Sequence, residues 1–139
     1  GFALMAFLGA RLEPGVELVA RAVGLAEAVS GADLVLTGEG SVDAQTLAGK
    51  TPAGVARVAA AQGVPTVIVA GRVRPDAEVL LTTGCVALMS SSQGDVVPLA
   101  EVLRAAPQST ERATATVMRL WTHRSGPAGS VVDPADPAA

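Results

Sequence analysis

The sequence predicts an α/β fold of three layers, with helices on both faces of a mostly parallel sheet. Three observations predict it. Half of the 139 residues are hydrophobic but only 2% are aromatic, so the apolar mass is mainly Ala, Val and Leu, which suits helices packed closely on a sheet. Short apolar runs such as Leu34-Val35-Leu36 and Val67-Ile68-Val69 show no polar alternation, as in parallel strands covered on both faces. Between them lie stretches of helical period, opened by proline and closed by glycine.

In chain order, Gly1 to Gly9 form an apolar run too short to span a bilayer, with no positively charged segment before it as a signal peptide requires. It reads as the end of a core helix. Val16, Val19, Ala20 and Val23 recur at helical spacing after Pro14, and Gly31 follows, which predicts a helix over residues 14–29. Ala32 to Leu36 reads as the first strand and ends at Thr37-Gly38. A polar loop comes next, and Pro52 then opens a helix that Gly63 closes. Val64 to Ala70 is the second strand, Asp76 to Thr83 a short helix, and Cys85 to Met89 the third strand. Helix resumes over residues 98–105, Pro107 is expected to break it, and a longer amphipathic helix reaches Trp121. From Thr122 to Ala139 the composition turns to Pro, Gly, Ala and Asp without periodicity, which predicts a disordered tail.

Composition excludes several functions. Ten basic against 13 acidic residues leave a formal net charge of -3 with no basic stripe, so nucleic acid is not an expected partner, and no membrane association is expected either. Cys85 is the one cysteine, which rules out an internal disulfide and fits a reducing cytoplasm. It reads as a small buried hydrophobe. His123, the one histidine, reads as a surface residue and Trp121 as core packing. Arg72 and Arg74, after the second strand, stand where they could touch phosphate, although loop arginines are more often solvated. Ser90 to Asp95 follows the third strand in the equivalent position.

The polar loop holds most of the reactive side chains, and in open α/β sheets the carboxyl end of a strand faces the crevice that receives ligands. Gly38 and Gly40 flank Glu39, so the backbone is free to take positive φ and turn amides toward an anion. Glu39 and Asp43 could share a Mg²⁺ ion, or one could accept a proton from a substrate hydroxyl while the other holds the metal. Gln45 and Thr46 offer neutral hydrogen-bonding groups for hydroxyls. Lys50 supplies a positive charge just before a helix whose amino end also attracts anions. Together they suit a phosphorylated or carboxylated ligand. Gly49-Lys50-Thr51 is not a Walker loop, because Asp43-Ala44-Gln45 lacks the upstream glycine.

The string Thr37-Gly38-Glu39-Gly40, Asp43, Gln45-Thr46, Gly49-Lys50-Thr51-Pro52 and Gly54-Val55-Ala56 resembles the signature of the glycerate kinase family of bacterial type. The similarity continues through Gly63-Val64-Pro65 and Ala70-Gly71 and, more loosely, from Leu12 to the helix before Trp121. The resemblance implies a Rossmann-like domain that transfers a phosphoryl group from ATP to a hydroxyl of glycerate, with Mg²⁺ accompanying the nucleotide. It implies a step of organic acid metabolism in the cytoplasm. It implies a catalytic set of Asp43, Lys50 and Glu39: Asp43 activates the hydroxyl or faces the metal, Lys50 binds an anion, and Glu39 is the other metal candidate. Thr37, Gly38, Gly40, Gln45 and Thr46 would bind substrate or nucleotide.

Members of that family are longer, with a further glycine-rich segment upstream. The chain begins at Gly1 inside an apolar run, so residues 1–121 are expected to be the C-terminal part of such a domain within a larger two-domain protein. Weak or no kinase activity is expected of this chain alone, and apolar surface around Phe2, Leu4, Phe7 and Leu8 is expected to promote self-association. The alternative is a non-catalytic small-molecule binding or regulatory module, against which retention of both acids and the lysine argues. An oxidoreductase dinucleotide domain is excluded, since no Gly-x-Gly-x-x-Gly opens the first helix.

Overall fold

A computed structural model of the chain describes residues 1–92 and 98–124. The helices are α1 (Phe2–Leu8), α2 (Gly15–Ala22), α3 (Leu25–Val29), α4 (Thr51–Ala61) and α5 (Leu99–Arg124), and the strands are β1 (Val35–Val42), β2 (Thr66–Val73) and β3 (Cys85–Ser90). Two 3₁₀ helices, Ala44–Ala48 and Pro75–Thr83, occupy the connections after β1 and β2.

The three strands form one parallel sheet in the order β1-β2-β3, and the side chains of β2 explain the three layers. Ile68 and Ala70 pack with Ala53 and Ala56 of α4, whereas Val67 and Val69 pack with Ala113 and Val117 of α5. A strand presents alternate residues to opposite faces, so an apolar residue at every position demands cover on both. The expected α/β architecture is what the chain adopts.

Close approach is the reason for several glycines. A Cβ on Gly54 in α4 would lie 2.4 Å from Cγ2 of Val16, so the absent side chain lets α2 lie against α4. Gly84, with φ of 89°, sits 2.4 Å by the same measure from the Cβ of Ala60 and turns the chain into β3. Cys85 is buried as expected. Its thiol donates to the Ala87 carbonyl at 3.1 Å, and burial pushes its pKa up.

Several expectations about elements need correction. The helix expected over residues 14–29 is two helices, because Gly24 takes a left-handed φ of 65° and breaks the chain between α2 and α3. Residues 32–34 lie outside β1, which starts at Val35 and runs on to Val42 through the expected loop. Asp76 to Thr83 belongs to a 3₁₀ helix that starts at Pro75. Pro107 lies inside α5 without ending it: proline's fixed φ suits a helix, and the lost hydrogen bond is a local cost in a 26-residue element. Thr122, His123 and Arg124 close α5 and are not part of a tail. The tail expected beyond them lies outside the described residues. The helix at Phe2–Leu8 forms but buries none of its residues, so it is not a core helix here.

Candidate functional site

β1 ends at Val42 and delivers Asp43 in extended backbone, with φ of -150° and ψ of -177°, to the amino end of the 3₁₀ helix Ala44–Ala48. Asp43 and Thr46 form a capping box. The Asp43 amide donates to Thr46 Oγ1 at 3.2 Å, and the Thr46 hydroxyl donates to Asp43 Oδ1 at 3.4 Å. Gly49 then takes a φ of 104°, a conformation that favours glycine, and turns the chain so that Lys50 becomes the N-cap of α4. Lys50 Nζ donates to Asp43 Oδ1 at 3.3 Å. The pair is half-buried, with 23% of the Asp43 side chain and 37% of the Lys50 side chain exposed.

Burial opposes ionisation of Asp43, but the Lys50 hydrogen bond and charge, with the hydroxyl and backbone of Thr46, outweigh it and hold the carboxyl below its usual range. Asp43 is therefore held as an anion, and Lys50 stands beside it at the amino end of a helix.

The other expected site residues divide. Thr46 is fully buried and its hydroxyl is bonded to Asp43. Gln45 is exposed beside Asp43. Glu39 is exposed on β1 opposite Ala70, not in a loop. Four strand steps place its backbone about 13 Å from that of Asp43. Among the described residues no group of three or more His, Cys, Asp or Glu side chains is arranged to hold a metal.

Thr37 is half-buried on β1 opposite Ile68. Gly38 and Gly40 are strand residues and neither has positive φ. A Cβ on Gly38 would lie 2.3 Å from the Val69 carbonyl oxygen, so that glycine serves the approach of β1 to β2 and not a ligand-facing turn. Arg72 lies at the end of β2, whereas Arg74 follows it and pairs with Asp76 at 4.0 Å. Gln93 to Asp95 lie outside the described residues. Two open cavities, about 590 Å³ beside Leu34 and Trp121 and about 390 Å³ between Glu27 and Gln62, lie away from Asp43 and Lys50. The charged pair and these cavities do not coincide, and the pair, an acid and a cation joined at the carboxyl end of a strand, is the better guide.

The fold and this charged corner define an α/β domain with an ion-paired loop beyond its first strand. The Glycerate kinase family profile matches residues 1–122, and the chain belongs to that family. It is 40% identical over 112 residues to a glycerate kinase of Bacillus subtilis (strain 168), covering 81% of this chain and 29% of that protein. It is 44% identical over 90 residues to a glycerate 2-kinase of Escherichia coli (strain K12), covering 65% of this chain and 24% of that one. A crystal structure of a candidate glycerate kinase 2 from Salmonella typhimurium LT2 superposes with a TM-score of 0.60 at 32% identity, covering 88% of this chain and 30% of the other. The chain thus spans 24–30% of the length of these relatives.

Proposed function

We propose that this chain supplies one wall of a site at which a hydroxyl of glycerate is phosphorylated by ATP. The observation that carries the reading is the Asp43–Lys50 pair, 3.3 Å apart and capped by Thr46, at the carboxyl end of β1 in a chain of the glycerate kinase family. Phosphoryl transfer asks a protein chiefly to position reactants and neutralise charge. Lys50 and the amino end of α4 attract the anionic group. Asp43, held ionised, accepts the proton of the attacking hydroxyl or faces the metal, and exposed Gln45 offers hydrogen bonds to neighbouring hydroxyls.

The donor set fits Mg²⁺, a hard cation commonly held by one or two carboxylates together with substrate phosphates. Asp43 and Glu39, whose side chain makes no hydrogen bond or ion pair with a described residue, are the candidates to hold it. When bound, the ion would supply charge neutralisation on the phosphates.

The test uses a full-length family member that carries this sequence as its matching segment. Lys50→Met should raise KM for an anionic substrate by about tenfold, the scale of one lost charge-assisted contact. An unchanged KM and kcat would remove Lys50 from the site.

A further inference from the structure

The corner that holds Asp43 and Lys50 is built around a third residue, Thr46, which is fully buried. Its hydroxyl accepts from the Asp43 amide at 3.2 Å and donates to Asp43 Oδ1 at 3.4 Å, so one oxygen is joined to both the backbone and the carboxylate of the same residue. Two bonds from one atom close a small ring that spans χ1 and χ2 of Asp43, and turning either torsion breaks the bond to Oδ1. The Thr46 carbonyl, in turn, accepts from the amides of Gly49 and of Lys50, the latter at 3.3 Å. One buried residue thus meets the acid through its side chain and the residue bearing the amine through its backbone.

The backbone around Asp43 is held independently of this hydroxyl. Val42 before it is fully buried in the core with Ile68, its carbonyl accepts from the Arg74 amide at 3.0 Å, and Leu47 packs against the same core. What the hydroxyl adds is the direction of the Asp43 side chain. Valine would fill the same space without an oxygen to desolvate, so the contribution of the hydroxyl lies in its two bonds to Asp43. Lys50 Nζ donates to the same Oδ1 at 3.3 Å, but its stem is flexible and 37% of its side chain is exposed. The short, β-branched, buried threonine is the stiffer of the two supports.

We propose that Thr46 is a positioning residue for the phosphoryl transfer, fixing the rotamer in which the Asp43 carboxylate meets the reactants. The inference rests on the reading of Asp43 given above. A carboxylate turned away from its reacting partner loses rate while the anion contact of Lys50 persists, so the effect falls on kcat more than on KM. In the 139-residue chain, Hα–Hβ couplings should show Asp43 in one χ1 rotamer in the wild type and Thr46→Ser, and averaged rotamers in Thr46→Val and Thr46→Ala. In a full-length family member carrying this sequence as its matching segment, Thr46→Val should lower kcat by about tenfold with KM changed less than about twofold, and Thr46→Ser should keep kcat within about threefold of wild type. Serine and alanine differ only by the oxygen, so Thr46→Ala should turn over about tenfold more slowly than Thr46→Ser, a comparison that stands even where valine prevents folding. A cap that serves stability alone would lower the urea midpoint of Thr46→Val and leave kcat in place. That result would overturn the proposal, as would equal kcat values for Thr46→Ser and Thr46→Ala, or a single Asp43 rotamer in both Thr46→Val and Thr46→Ala. Asp43→Asn separates the two levels. Where it lowers kcat and the Thr46 variants do not, the role of Thr46 alone fails; where it leaves turnover intact, the reading of Asp43 fails and this inference with it.

Discussion

Asp43 shows how a single side chain is prepared for chemistry by its neighbours. Its carboxyl is held below the usual range because Lys50 and Thr46 outweigh the cost of burial. A carboxylate whose folded pKa lies below its unfolded value stabilises the fold above the unfolded pKa, near 3.9 for aspartate, and that contribution is lost as pH falls through the folded value. Lys50→Met should raise the Asp43 midpoint in an NMR titration and move the onset of acid unfolding to higher pH. A midpoint unchanged by the substitution would mean that Lys50 is not what holds the charge.

At the scale of elements, α4 matters because it carries Lys50 at its amino end and is located by α2 and the sheet. Gly54→Val would drive a side chain into Val16 and should cost about 1–3 kcal/mol, relieved in part by Val16→Ala, as read from urea denaturation. Equal denaturation midpoints for Gly54→Val and the wild type would show that α2 does not rest on α4.

The sequence carried much of this arrangement. The apolar runs marked where three parallel strands would form, and Pro52 and Gly63 marked α4, because period and punctuation are local signals. What it hid depends on partners distant in sequence. Gly38 and Gly40 read as turn glycines, yet pairing with β2 extends β1 through them. Thr46 read as a ligand group, yet it is buried and spends its hydroxyl on Asp43. Pro107 read as a break, though α5 absorbs it. An N-cap aspartate, Asp43, with Thr46 three residues later was the available clue to the box.

At the scale of the whole molecule, the amino-terminal segment exposes apolar surface. Phe2, Phe7, Leu8 and Leu12 are each more than 70% exposed, and α1 buries nothing. Exposed patches of this kind favour association, so light scattering should find the chain self-associated, and Phe2→Glu with Phe7→Glu should lower its mass. A wild-type chain that scatters as a clean monomer would contradict this. No described helix is long and apolar enough to cross a membrane.

The measurement that reaches the central claim most directly is turnover of Asp43→Asn in a full-length family member carrying this segment, with glycerate, ATP and Mg²⁺ and with ADP release as the readout. Asparagine keeps the shape while removing the charge. The account predicts a fall in kcat of about 100-fold or more with KM changed little. Turnover within about threefold of wild type, less than roughly 1 kcal/mol of barrier, would contradict it.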